Sequence, residues 1–178
     1  MKARFVWPAL VAAAIVIGVG AWRFRAPDLP QSEDPDQNIQ WLAAGTPEKQ
    51  VDRAHASLFA AGTAAFPALI KHLENKIPAD RRFQRAVVTV APDGSRRDYT
   101  PTIGDVCYDI LELQIQGRWP KSLILYRGID PQWLREHMGS SLAELQEMKL
   151  SEALRRAKAE GDQQAVQFFE ERRSELRR

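Results

Sequence analysis

An uncharged apolar run near the N-terminus, FVWPALVAAAIVIGVGAW, constrains this 178-residue chain more than any other feature. The run covers 18 residues from Phe5 to Trp22, and the basic residues Lys2 and Arg4 precede it. Eighteen residues is close to the smallest number that crosses a bilayer as an α-helix. A basic start followed by such a run is typical of a membrane anchor or of a cleaved secretory signal.

The flanks of this run favour an anchor that is retained. A tryptophan near each end is typical of residues at a membrane interface. The small residues Val19 to Ala21 resemble a cleavage site, but Arg23 and Arg25 follow immediately. We therefore predict that residues 1–25 form a single-pass anchor, inserted through residues 5–22, with the body periplasmic or otherwise extracytoplasmic. Secretion after cleavage of this segment is the alternative.

Composition excludes several classes of function. Residues 1–25 hold four basic residues and no acid, while the other 153 residues hold 21 basic and 23 acidic residues. The isoelectric point near 8.8 therefore reflects the N-terminus, and we expect no nucleic-acid partner. One cysteine excludes a disulfide framework and a multi-cysteine zinc site, and the three histidines are scattered. No cofactor or metal ion is expected.

The remaining chain divides into a linker and a helical domain. Residues 26–37, APDLPQSEDPDQ, combine prolines with acids and are predicted to form a linker. Residues 38–178 show apolar residues at helical spacing, separated by glycines and by residues that cap helices. The predicted helix-start signals are Asp36, Thr46, Thr102 with Asp105, Asp130, and Ser141 with Glu144, and the pair Gly161-Asp162 is predicted to break the C-terminal region into two helices.

Two stretches interrupt the helical pattern. The first is an insertion at about 80–100, where β-branched residues and an Asp-Gly turn signal predict a β-hairpin, residues 83–90 with 96–100, or an ordered long loop. The second runs from Trp119 to Arg127, where residues 123–126 (LILY) are expected to pack against the helices.

Residues 51–75 resemble the unit of HEAT-like helical repeats. The likeness consists of a helix, an Ala-Gly turn and then the sequence FPALI at 66–70 followed by Leu73. The segment 102–116, TIGDVCYDILELQIQ, is similar to the helix that opens a second unit, so the resemblance covers residues 51–116. It implies a mainly α, irregular HEAT-like domain whose stacked helical pairs offer an extended surface for binding a protein partner.

Arginines cluster in the insertion. If its two arms pair, they bring together five arginines with two aromatic residues beside them: Arg81, Arg82, Arg85, Arg96, Arg97, Phe83 and Tyr99. Such a patch is suited to an anionic lipid or an acidic envelope polymer. A solvated loop balanced by Asp80, Asp93 and Asp98 is the simpler interpretation, and it is the one we favour.

The candidates for chemistry lie on the helices around this insertion. Asp105, Asp109 and Glu112 share one helix face, which is suited to a cation or to acid–base catalysis but is more typical of a solvated surface. His55 is expected to be a hydrogen-bonded core residue, and Cys107 an inert buried thiol. No motif for a nucleophilic serine, a nucleotide or a metalloprotease site occurs.

These observations favour a membrane-tethered, non-enzymatic helical module that binds another protein in the cell envelope. The predicted binding residues are Arg81, Arg82, Phe83, Arg85, Arg96, Arg97, Tyr99, Thr102, Asp105 and Asp109. A binder of anionic lipid or envelope polymer through the arginines is one alternative. A hydrolase that uses Asp105, Asp109 and a histidine is the other.

Overall fold

A computed structural model describes residues 32–84, 88–90 and 96–177 of the chain. These residues are mainly helical, which confirms the mainly α part of the predicted fold class. The helices are α1 (Pro35–Gln40), α2 (Glu48–Ala60), α3 (Phe66–Lys71), α4 (Ile103–Gln116), α5 (Pro131–Glu136), α6 (Leu142–Glu160) and α7 (Gln163–Leu176). Short 3₁₀ turns cover Gly62–Ala65, Arg81–Phe83 and Lys121–Tyr126.

Local capping signals locate several helix starts correctly. Thr102 and Asp105 form a capping box at α4, and Ser141 and Glu144 form another at α6. Each box satisfies backbone N–H groups that the first helical turn leaves without a partner. The side chain of Asp130 accepts from the backbone N–H of Gln132 at the start of α5.

The break between the last two helices also follows its sequence signal. Gly161 has a φ of +73°, the left-handed conformation that ends α6, and Asp162 caps α7 by accepting from the backbone N–H of Ala165. The first two helices are present, but their predicted caps were wrong, and α1 begins at Pro35, inside the predicted linker 26–37. Asp34 caps α1 instead of Asp36, because Pro35 occupies its first position, and Thr46 makes no cap at α2, where Pro47 precedes the helix.

Two three-residue strands, β1 (Val88–Val90) and β2 (Arg96–Asp98), pair antiparallel within the insertion. Val88 lies opposite Asp98, and Val90 lies opposite Arg96. The residues that join these strands, 91–95, lie outside the described part of the chain. Phe83, which was predicted to begin the first strand, belongs to a 3₁₀ turn instead.

A first hydrophobic core lies between helices α1 to α5, and α4 is at its centre. Fully buried members include Ile39, Leu58, Leu69, Ile110 and Leu134. This core also buries Cys107, as predicted, and burial raises the pKa of its thiol to about 12.

The segment 75–80 passes between the end of α1 and the start of α4. Isolated bridges pair Ala43 with Ala79 and Pro78 with Thr102. The backbone N–H of Gly104 donates to Asn75 O at 3.0 Å, and a methyl group on Gly104 would lie 2.2 Å from the carbonyl oxygen of Leu73. Only glycine therefore allows α4 to approach the end of α3 this closely.

A second hydrophobic core lies between the 3₁₀ turn 121–126 and the helix pair α6–α7. Its buried members are Trp119, Leu123, Tyr126, Leu150, Ala153, Leu154, Ala157, Ala165 and Phe169. Leu145, in the first turn of α6, belongs to the first core, so α6 contributes to both cores. The expectation that residues 123–126 pack inward holds only for Leu123 and Tyr126, because Ile124 and Leu125 are exposed.

The acidic face of α4 was predicted to be solvated, but Glu112 is not part of a solvated surface, whereas Asp105 and Asp109 are partly exposed. Glu112 is only 8% exposed, and its Oε2 accepts from Arg127 Nη2 at 2.6 Å. The side chain of Gln116 also binds both backbone groups of Gly128, at 3.3 Å to its N–H and 3.0 Å to its carbonyl. Glu112 and Gln116 of α4 thus hold the loop at residues 127–128, which follows the 3₁₀ turn Lys121–Tyr126. The prediction failed because the partner, Arg127, lies 15 residues away in sequence.

Candidate functional site

A surface groove of about 380 Å³ lies between α2, the segment 81–84 and α4. We call it the α2–α4 groove; it is lined by Asp52, His55, Arg82, Phe83, Gln84, Val106, Asp109 and Leu113. Asp52 and His55 are one turn apart on α2 and therefore point to the same side. Val106, Asp109 and Leu113 have the equivalent spacing on α4, and residues 82–84 complete the lining.

The imidazole of His55 packs between two aromatic rings in this groove. Its centroid is 4.9 Å from that of Phe59 and 5.3 Å from that of Phe83. Burial lowers the pKa of His55; the negative charge of Asp52 opposes this shift, and the positive charge of Arg82 adds to it. His55 is therefore neutral near pH 7, and it contributes an aromatic surface to the groove.

Arg82 holds the edge of the groove through a set of ion pairs. Its Nε donates to Asp80 Oδ1 at 2.9 Å, its Nη1 donates to Asp52, and its Nη2 lies 3.6 Å from Glu48 Oε1. The hydrogen bond from Arg82 lowers the pKa of Asp80, and the same bond raises the pKa of Arg82. Arg82 thereby ties the segment 81–84 to α2.

This pairing changes the interpretation of the predicted arginine patch. The charge of Arg82 is matched by acids, as the balanced-loop interpretation predicted for Asp80. Arg81 is exposed on the same 3₁₀ turn. Arg85 and the side chains of Arg96 and Arg97 lie outside what the structure describes, so their convergence stays a prediction.

A second group of predicted site residues forms the start of α4. Asp105 Oδ2 accepts from Tyr99 Oη at 2.5 Å, from Thr102 Oγ1 at 2.6 Å and from the Thr102 backbone N–H at 2.7 Å. Burial alone would raise the pKa of Asp105, but these hydrogen bonds outweigh it and lower that pKa. The same contact raises the pKa of Tyr99 to about 12. Tyr99, Thr102 and Asp105 therefore form a helix cap.

The ten predicted residues thus separate into distinct sets. Arg82, Phe83 and Asp109 line the α2–α4 groove, whereas Tyr99, Thr102 and Asp105 stabilise the helix start beside it. Sequence reasoning missed Asp52, Gln84, Val106 and Leu113 as lining residues and treated His55 as core. One sequence signal could have identified them. Asp52 and His55 are three residues apart, and Val106 and Leu113 are seven apart, so each pair lies on one side of its helix.

Neither a metal centre nor a membrane span is present in the described ranges. Among residues 32–84, 88–90 and 96–177, no three His, Cys, Asp or Glu side chains are grouped so that they could hold a metal ion. No helix in this part of the chain has both the length and the apolar character needed to cross a membrane. The predicted anchor, residues 5–22, lies outside it.

Comparison with models of known protein families, with curated proteins and with solved structures finds no match to this chain. The function is therefore inferred from the groove itself.

Proposed function

We propose that this protein is a membrane-tethered, non-enzymatic helical module that binds a protein partner in the cell envelope through the α2–α4 groove. Residues 5–22 would provide the tether, and residues 26–31 would separate it from the helical body. The HEAT-like pattern of residues 51–116 supports this proposal, because stacked helical pairs serve as binding surfaces. The single observation that carries it is the groove, whose lining combines apolar and charged side chains.

The character of the groove suits a protein segment with a large apolar side chain. The rings of His55 and Phe83, together with Val106 and Leu113, provide apolar surface that a neutral imidazole does not interrupt. A volume of about 380 Å³ is enough to receive a single anchoring side chain, and buried anchors of this kind carry most of the binding energy at protein interfaces.

Two alternatives have less support. In a hydrolase, Asp105 would not be available for catalysis, because its carboxylate accepts hydrogen bonds from Thr102 and Tyr99. Such an enzyme would have to use His55 and Asp109. Arg82 would contribute little to the binding of an anionic lipid or envelope polymer, because Asp52 and Asp80 already neutralise its charge.

Site-specific photo-crosslinking in cells tests the binding groove. A photoreactive amino acid replaces Gln84, which lines the groove, or Gln164, which is also exposed and lies on α7. We expect position 84 of the full chain to give a discrete crosslinked protein that position 164 does not give. Phe83→Ala should remove that product, whereas Phe168→Ala, the matched loss of a half-buried ring on α7, should not. Equal crosslinking from both positions would refute the proposal.

Fractionation tests the tether separately. The full chain with a C-terminal tag should remain in the membrane fraction at full-length mass, and protease should reach the tag in opened but unlysed cells. A soluble product shortened by about 21 residues would instead indicate a cleaved signal. A full-length product with a protected tag would contradict the proposed location.

A further inference from the structure

A second surface groove, of about 490 Å³, lies between α1 and α2 and shares no lining residue with the α2–α4 groove. Part of its lining comes from residues that repeat at helical spacing along α2: Arg53, Ala56, Ser57 and Ala60. Asn38 on α1 and Trp41 just after it also line the groove. We call it the α1–α2 groove.

The lining of this groove favours an apolar occupant. Ala56 and Ala60 are exposed, and their short side chains leave room above α2. Trp41, which is partly buried against the first core, adds an aromatic ring. The two charged residues of the lining, Glu33 and Arg53, have opposite signs, so the lining carries no net charge. A large apolar side chain would be stabilised here by the surface that it removes from water.

The chain itself reaches the α1–α2 groove at Ser32, the first residue that the structure describes. A buried amide holds it there: Asn38 is 3% exposed, and its Nδ2 donates to Ser32 O at 2.9 Å and to Ser57 Oγ at 3.2 Å. The Ser32 Oγ also accepts from the backbone N–H of Asp34 at 3.1 Å. Because a buried amide is costly to leave without partners, Ser32 is fixed beside α2.

One large apolar residue lies immediately before this point in the sequence. In residues 25–31, RAPDLPQ, it is Leu29, three positions before Ser32. Three residues span at most about 10 Å, so Leu29 cannot lie far from the groove. Pro27 and Pro30 flank it and restrict the backbone, which reduces the entropy that the segment loses on docking.

We propose that residues 26–31 fold back on the helical body and place Leu29 in the α1–α2 groove. So short a connection gives an effective concentration of about millimolar, which a separate protein or a second copy would have to exceed. The docked segment would fix the point at which the N-terminal segment joins the body, and the residues before it would remain as the spacer. The proposal depends neither on the α2–α4 groove nor on retention of residues 1–21, because Leu29 follows the predicted cleavage site.

Thiol labelling of the purified full chain tests whether the groove is covered. Ala60→Cys places a thiol in the groove, and Ala159→Cys places one at an exposed alanine of α6. The native Cys107 is 0% exposed, and the chain that carries it alone gives the background. Leu29→Ser should raise the labelling rate at position 60 about fivefold, because it removes the apolar anchor, and should not change the rate at position 159. Leu176→Ser, at an exposed leucine of α7, should change neither rate.

Disulfide trapping identifies the occupant. A disulfide requires Cα atoms within about 7 Å of each other, so it reports close contact. With oxidised glutathione, Leu29→Cys combined with Ala56→Cys should form a disulfide within one chain. Leu29→Cys combined with Ala159→Cys should form none. Non-reducing electrophoresis separates a bond within one chain from a bond between two chains.

The contrary results differ from one another, and each overturns the proposal. If Leu29→Ser leaves the labelling rate at position 60 unchanged, Leu29 does not cover the groove. A disulfide that joins two chains would identify a second copy as the occupant. Protection of position 60 in intact cells that is absent from the purified chain would identify a separate protein.

Discussion

The two hydrophobic cores are held together in different ways. The first core joins segments that are distant in sequence, through backbone bridges such as Ala43 with Ala79 and through Gln114 Nε2, which donates to Leu58 O across 56 residues. The second core depends on consecutive helices and on one ring, since Phe169 contacts Trp119 at 4.9 Å and Tyr126 at 5.5 Å. The first core is therefore tied together by backbone and side-chain hydrogen bonds between distant segments, whereas the second is centred on one aromatic ring.

The largest expected effect is that of Phe169→Ala. Its side chain is fully buried at the centre of the second core, so its loss should lower the free energy of unfolding by roughly 3–5 kcal/mol. Hydrogen exchange should show the loss of protection in α7 before α2 and α4 are affected. Phe168→Ala, at a half-buried ring, should cost less. Uniform loss of protection in all helices would show that the two cores unfold together.

Gly104→Ala should break the first core. The added methyl group would lie 2.2 Å from the carbonyl oxygen of Leu73, so backbone must move, and we expect a loss of roughly 3 kcal/mol in urea unfolding of the full chain. Gly139→Ala is the control, because no atom lies within 4 Å of the added methyl group there. Equal stability of the two variants would mean that α4 does not require this close approach.

Glu112→Gln tests the contact between α4 and the loop at Arg127. The substitution keeps the shape of the side chain but removes the charge that the guanidinium faces, so we expect a loss of about 1.5–3 kcal/mol. Glu74→Gln, at an exposed position, should change the free energy of unfolding by less than about 0.5 kcal/mol. If both variants match the wild type in chemical denaturation, the ion pair contributes nothing to stability.

The smallest effect concerns pH and His55. Its pKa in the folded protein is below 6.5, its ordinary value in the unfolded chain, so the unfolded chain binds the proton more readily. The free energy of unfolding should therefore fall as the pH decreases below about 6.5. Subtracting the pH profile of His55→Gln isolates this contribution from that of the carboxylates. A wild-type profile parallel to that of the variant between pH 7.5 and pH 5, about the range in which histidines titrate, would contradict it.

Local features of the fold could be predicted from the sequence, and long-range pairs could not. The capping boxes at Thr102 and Ser141 depend on residues three positions apart, which a sequence displays directly. The pairing of Arg82 with Asp52 joins residues 30 positions apart, and no periodic pattern links them. For the same reason, charge spacing along α4 indicated a solvated face, although Arg127 covers Glu112.

The candidate site shows the same limit. Sequence reasoning identified the region around residues 81–109, and Arg82, Phe83 and Asp109 do line the groove. It did not identify the contribution of α2, because His55 lies on an apolar helix face and has the pattern of a core residue. Packing of α2 beside α4 turns that face into the wall of a groove, and this depends on tertiary contacts.

Helix α6 also limits where the chain can be divided into fragments that fold. Its 19 residues give a continuous rod about 28 Å long, whose first turn closes one core while its later turns close the other. A division placed inside α6 would split this rod, and one placed at Gly161 would separate α7 from Leu150 and Leu154. Recombination or fragment expression at either position would leave an open apolar face, so the helical body is expected to be inherited and produced as one piece.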